Sequence, residues 1–128
     1  SQSNSQKNTP NSPPSPSFAL SAGNYLLLLL QRRDLPRLIV TVSGNTITYR
    51  GCNSITQTFS PPQLTATKST ITISGGPTTN NNCAVNNDLA YYGALNQAKT
   101  YSYDASAGTV IFSNSAGAEI ATLNSANR

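Results

Sequence analysis

Hydrophobic and polar positions along this chain follow two periods. From "NYLLLLLQ" onward, short runs rich in Val, Ile, Thr, Tyr and Phe are separated by Gly, Asn, Ser or Pro, which is the pattern of strands joined by turns. "RLIVTV" and "TITYR" flank "SGN", and "SITQTF" follows the first cysteine; "QLTAT" and "TITIS" flank "KS", and "TVIFS" and "AEIATL" flank "NSAG". Each of the three flanked turns predicts a hairpin. The second period is confined to "NNDLAYYGALNQAK", where Leu89, Tyr92 and Leu95 recur every third residue, Asn87 is placed to cap and Asp88 suits the positive end of a helix dipole. The spacing predicts a helix from Asp88 to Lys99, weakened by Gly93 by roughly 1 kcal/mol relative to Ala, so its stability must come from packing on the sheet. "YSYD" returns to strand character. The expected fold class is mainly β (α+β): a small antiparallel β-barrel-like sheet with one packed α-helix, preceded by an extended Pro/Ser-rich N-terminal tail.

One run breaks the strand pattern. Side chains on a strand point alternately to its two faces, yet Leu26, Leu27, Leu28, Leu29 and Leu30 are apolar on both. A membrane does not cover the second face, because a spanning helix needs about twenty apolar residues. Either the strand is buried on both sides within its own domain, or its outer face meets another chain.

Composition shifts sharply near Phe18. Residues 1–17, "SQSNSQKNTPNSPPSPS", contain four prolines and no aliphatic or aromatic side chain, too little apolar surface to offset the entropy of ordering. They read as an extended tail, and residues 18–128 as one domain, a length that can bury a sizeable core without a second one. A tail of this kind cannot dock by burial of side chains. Its extended backbone can instead pair with a sheet edge or lie between subunits. "SPPSPS" also looks like the Ser-Pro modules of plant and algal wall glycoproteins, which makes Thr9, Ser12, Pro13, Pro14, Ser15, Pro16 and Ser17 candidates for O-linked glycan or proline hydroxylation. No N-x-Ser/Thr acceptor occurs, which excludes N-linked glycan.

Charge and cysteine usage point outside the cell. Charged residues make up 9% of the chain, so Ser, Thr and Asn carry its solubility, as in extracellular surface proteins. The net charge of +4 is scattered except for Arg32, Arg33 and Arg37, which read as a solvated loop; without a dense basic face, no nucleic-acid partner is expected. The chain begins at Ser1 and has no Met, and the expectation is a removed leader and secretion. Cys52 and Cys83 fit that compartment as a single disulfide closing a loop of about 32 residues, with a pair of buried free thiols as the alternative.

Catalysis finds no foothold in the residue types. There is no His, so no Ser-His or Cys-His nucleophile can be assembled. Asp34, Asp88, Asp104 and Glu119 fall in a loop, at a helix start and in two hairpin regions, where turn, cap and solubility roles account for them better than the paired carboxylates of a glycosidase. No His, Cys or carboxylate cluster has metal-ligand spacing, so no metal or other cofactor is expected.

"LIVTVSGNTITYRGCNSITQTFS", then "LTATKSTITIS" leading to Cys83, a helix with Leu95 in "YYGAL", and "TVIFSNSAGAEIATL" together resemble the META domain, the HslJ-like family. Gly51, Cys52 and Asn53 match its glycine-cysteine-asparagine signature, and the resemblance covers nearly all of residues 23–124. It implies a compact barrel-like sheet with one helix, associated with the envelope or secreted, and no established enzymatic activity. The leucine run and the tail depart from the family pattern, so what is particular to this protein is expected at the N-terminus. Read without the resemblance, Gly51, Cys52 and Asn53 serve structure better than a ligand: a permissive backbone, a bridge and a local hydrogen bond in a bend.

Three function classes compete. A ligand binder should leave an apolar pocket inside the barrel, and an inhibitor should display a rigid exposed loop. An assembling subunit should show an apolar strand face together with a segment ordered by its neighbour. The reading favoured is a secreted, non-enzymatic structural protein forming a homo-polymer or filament, with contacts between subunits through Pro10, Pro13, Pro14, Pro16 and Phe18 of the tail region and Leu26–Leu30 of the strand. The alternative is a monomeric envelope or secreted META-domain protein that binds a small ligand or lipid or protects against stress.

Overall fold

A computed structural model of the chain describes residues 20–62, 67–104 and 106–126. The tail prolines, Phe18 and every glycan candidate lie outside the described residues. The strands are β1 (Gly23–Leu29), β2 (Leu38–Ser43), β3 (Thr46–Arg50), β4 (Ser54–Ser60), β5 (Lys68–Thr70), β6 (Thr72–Pro77), β7 (Thr100–Asp104), β8 (Thr109–Ser113) and β9 (Glu119–Ser125), with one helix, α1 (Asp88–Asn96), between β6 and β7. They form a single nine-stranded sheet in the order β5-β7-β8-β9-β1-β2-β3-β4-β6, antiparallel at every step.

The two edge strands of that sheet are neighbours in the chain, separated only by Ile71. The segment from Lys68 to Pro77 therefore pairs with β7 through its first part and with β4 through its second, and the sheet curls into a nearly closed barrel. Ile71 and Ile73 both point inward, each 3% exposed, and the Ile71 N–H donates to Lys99 O at 3.0 Å. This corrects one expected hairpin. "KS" lies in β5 rather than in a turn, Thr70 of "TITIS" continues β5 while Thr72–Ser74 pair with β4, and residues 63–66 lie outside the described residues. A hairpin there would leave both barrel edges open, whereas one strand shared between the edges covers most of their unpaired groups.

Alternation fills the interior. Tyr25, Leu27 and Leu29 of β1, Val40 and Val42 of β2, Ile47 and Tyr49 of β3, Ile55 and Phe59 of β4, Tyr101 of β7, and Val110 and Phe112 of β8 are all buried. A register shift between Glu119 and Ala121 turns Ile120 and Ala121 inward together, so β9 reaches the core at the end of the barrel where the helix sits. Burying a side chain such as Leu27 is worth roughly 1.5–3 kcal/mol. At the other end Leu20 closes the core, with the Tyr25 hydroxyl donating to Ser21 O at 2.9 Å.

The helix meets the barrel through a different face from the one its spacing suggested. Tyr91 and Leu95 are buried along with Asp88, whereas Leu89 is 67% exposed and Tyr92 is only half-buried. The helix also stops at Asn96 rather than Lys99, and the Asn87 side chain makes no capping bond; Asn86 Oδ1 accepts the Asp88 N–H instead, at 2.9 Å. Both differences follow from polar contacts at the two ends of the helix: Asp88 with the β3–β4 loop and Asn96 with Gln57 and Gly75.

Gln57 is fully buried in β4. Its Oε1 accepts from the Tyr49 hydroxyl at 2.6 Å, and its Nε2 donates to Tyr92 O at 3.0 Å and Asn96 Oδ1 at 2.8 Å. Asn96 Nδ2 in turn donates to Gly75 O at 2.9 Å. Gly75 sits at φ +121°, and a Cβ there would overlap the Thr56 carbonyl, so only glycine lets β6 approach β4 this closely. Every polar atom of the Gln57 amide is engaged except one amide-oxygen lone pair, which is what a buried amide needs to be tolerated.

Burial pushes the Tyr49 hydroxyl far above its ordinary value, with nearby Asp88 acting in the same direction, and burial also raises Tyr25 and Tyr91. Because the folded values lie above the unfolded value of about 10, the neutral hydroxyls support the fold fully below about pH 10 and that support is lost as pH rises further. Urea unfolding followed across that range should show stability level below about pH 9 and falling above about pH 10. Tyr49→Phe should flatten part of the alkaline decline while costing about 1 kcal/mol at neutral pH through the lost bond to Gln57.

Candidate functional site

The loop between β3 and β4 holds Gly51, Cys52 and Asn53, and the structure turns them toward the start of α1. Asp88 is 3% exposed, and its carboxylate accepts the Cys52 N–H at 2.8 Å, the Asn53 N–H at 3.0 Å and Asn53 Nδ2 at 3.1 Å. A Cβ on Gly51 would overlap Asp88 Oδ1, so glycine at 51 makes room for the carboxylate. Asn53 Oδ1 accepts the Asn81 N–H and the Thr79 hydroxyl, the latter at 3.0 Å, and Asn81 Nδ2 returns a bond to Cys52 O at 3.2 Å. The Cys52–Cys83 disulfide, with Cα atoms 5.9 Å apart, binds the same loop to the segment before the helix.

These residues form a fastener. Asp88, Asn53 and the disulfide together hold the β3–β4 loop, the irregular segment after β6 and the helix start in one arrangement. Asp88, expected as a charge at the positive helix end, spends its oxygens on a loop 35 and 36 residues away in sequence. Among the described residues no group of three His, Cys, Asp or Glu could hold a metal ion, and no helix is long and apolar enough to cross a membrane.

The leucine strand divides between two environments. Tyr25, Leu27 and Leu29 enter the core, while Leu26, Leu28 and Leu30 face outward and are half-buried. Leu26 lies opposite Ile39 on one side and Asn124 on the other, Leu28 lies opposite Thr122, and Thr122 lies opposite Ile111. Ile39 is 64% exposed. Outward positions elsewhere on the barrel are Thr48, Thr56, Thr58, Thr72, Ser74, Ser102 and their like, with Arg50, Lys68 and Asp104 near strand ends. Among the described strand residues, Leu26, Leu28, Ile39 and Ile111 are thus the outward aliphatic side chains; Leu26 and Leu28 on β1 and Ile39 on β2 are neighbours, and Ile111 on β8 lies across Thr122 of β9. The outer leucines are less exposed than a bare strand would leave them, because β2 and β9 flank them on both sides.

The arginine trio lies in the loop from β1 to β2. Arg32 pairs with Asp34 through bonds of 3.1 and 3.0 Å between side chains that are 54% and 63% exposed, while Arg33 and Arg37 are exposed. The hydrogen bond from Arg32 holds the Asp34 carboxyl below its ordinary value, though a pair this exposed adds little stability. Tyr91 pins the loop to the helix by donating to Pro36 O at 2.6 Å.

No family model, no curated protein and no solved structure matches the chain.

Asp88→Ala leaves two buried backbone N–H groups and the Asn53 amide without their acceptor, and should lower unfolding stability by about 3–5 kcal/mol, with Asp88→Asn costing less because one oxygen remains. Urea midpoints measure both; equal midpoints for wild type and Asp88→Ala would contradict the fastener. Replacing Cys52 and Cys83 together by Ser should cost roughly 2–5 kcal/mol, and mass spectrometry of non-reduced, alkylated protein should count no free thiol.

Proposed function

We propose that this protein is a non-enzymatic extracellular structural subunit that assembles with copies of itself through the outer face of β1 and the tail preceding it. The observation that carries the reading is the clustering of Leu26, Leu28, Ile39 and Ile111 on a barrel whose other outward strand positions are hydroxyls, amides and a few charges. An uncharged apolar face of this kind can pack against another sheet about 10 Å away, and left bare it is an aggregation hazard. The disulfide supports an oxidising compartment. The META-like reading belongs to the proposal: a glycine-cysteine-asparagine loop fastened to the helix start by a carboxylate and a disulfide gives that signature a structural role and asks no chemistry of it. O-linked glycan on the Ser-Pro segment and contacts from Pro10, Pro13, Pro14, Pro16 and Phe18 also belong to it, the tail supplying backbone pairing that needs no apolar anchor of its own.

Leu26→Lys with Leu28→Lys should abolish assembly and leave a folded monomer, because both side chains face outward and a lysine stem can lie along the sheet with its ammonium in water. Deleting residues 1–17 should have the same result. Sedimentation velocity and negative-stain imaging read the assembly, and circular dichroism reads the fold. A double-lysine variant that assembles like the wild type would show that the face is not an interface.

A further inference from the structure

The barrel interior is filled with side chains, but a groove of about 360 Å³ opens outside it, where α1 crosses the rim. Its floor is Leu29 and Ile120, and its helix wall is Leu89, Ala90, Gly93 and Ala94, with Gln97 at one end and Gln31 and Arg32 at the mouth. Ala90 to Gln97 spans two turns of helix, a slot roughly 10 Å long. The volume falls at the small end of the range of about 300–1,000 Å³ typical of sites for small molecules.

The groove exists because side chains are missing from a helix face that lies against apolar residues. A Cβ at Gly93 would stand 3.3 Å from Leu89 Cδ1, so a bulky side chain there would crowd Leu89 at the slot. Glycine costs a helix interior about 1 kcal/mol relative to Ala, and here neither a positive φ nor a backbone crossing requires it. Leu89 remains 67% exposed beside the opening.

Among the described residues that line the groove, Arg32 alone is charged, and its guanidinium is paired with the Asp34 carboxylate beside the mouth. Asp34 engages Arg32 through Nε and Nη2, leaving Nη1 without a partner. Glu119 is exposed and meets the groove residues through its backbone carbonyl, which accepts from Gln31 Nε2 at 3.4 Å. The Tyr91 bond to Pro36 O holds the loop that carries Arg32 against the helix.

We propose that this groove binds a small amphiphile with an unbranched hydrocarbon tail and an anionic head, the tail lying over Leu29, Ile120, Ala90 and Ala94 along Gly93 and the head meeting Arg32. The site does not depend on the assembly reading, since none of Leu26, Leu28, Ile39 or Ile111 lines it.

Octanoate, 1-octanol and octylammonium, each below its micelle-forming concentration, can be titrated into the full chain by calorimetry and by amide chemical shifts. Octanoate should saturate one site per chain, with shifts centred on α1 and the start of β9, and bind more tightly than octanol, with octylammonium weakest. Arg32→Gln should weaken octanoate about three- to fivefold and leave octanol unchanged, whereas Asp34→Asn, by freeing the guanidinium, should strengthen octanoate by a similar factor. Gly93→Leu should remove binding of all three. If that variant fails to fold, the opposite effects of the two exposed loop substitutions still decide the matter. No saturable octanoate binding, equal affinity for octanoate and octanol, or loop variants that do not move octanoate in opposite directions would overturn the proposal.

Discussion

The arrangement depends on one unfinished join. A sheet that curls until its edges nearly meet must satisfy the backbone groups along the remaining gap, and here a single segment, Lys68–Pro77, supplies both edges. The second half of that segment still has an open side, and α1 lies against it. Asn96 donates to Gly75 O, and Gln57 reaches out of the barrel to Tyr92 O and Asn96. Because the helix is too short to be stable alone in water, it is held by what it covers. The Asp88 fastener at its start and the Gln57 network near its end set both its angle and its length.

The strands were legible in the sequence because their burial alternates, and alternation is a local signal. β2, β3, β4, β7, β8 and β9 fall where the β-branched runs and turns put them. The expected hairpin around "KS" failed because turn chemistry was inferred from two small polar residues, while the governing fact, that both halves of the segment have distant partners, is not local. The helix face was misjudged for a related reason. Leu89, Tyr92 and Leu95 form a valid stripe, but Asp88 must face the β3–β4 loop and Asn96 must face Gly75, and these two demands rotate Tyr91 and Leu95 into the core and Leu89 into solvent. Gln57 offered only one weak hint, a polar residue at an inward position of "SITQTF". Its partners lie 35 and 39 residues away, so no local pattern could identify them.

The glycine-cysteine-asparagine loop shows how polar residues at a conspicuous position can be spent on holding the fold. Both Asp88 oxygens accept from the loop, the Asn53 amide bridges Asp88 to the Thr79 and Asn81 segment, and the cysteine sulfurs are bonded to one another. A carboxylate only 3% exposed and met by three donors is well solvated by protein, which is the condition under which a buried charge is tolerated. These groups are committed to holding the β3–β4 loop against the helix start.

The outer face of β1 and the groove beside α1 are set apart by the barrel. The outer face of β1 lies on the side of the cylinder, where the pleat presents alternate residues whatever happens at the ends. The groove lies on the rim, where its shape depends on the position of the helix. A filled interior transmits little between them except rigidity, so a substitution on the outer face should leave the groove's shape intact, and small residues on α1 can open a slot without loosening the strands. Buried side chains fill the barrel, the groove lies at the seam where helix and sheet meet, and the outward leucines stand on the opposite face of β1 from Leu27 and Leu29.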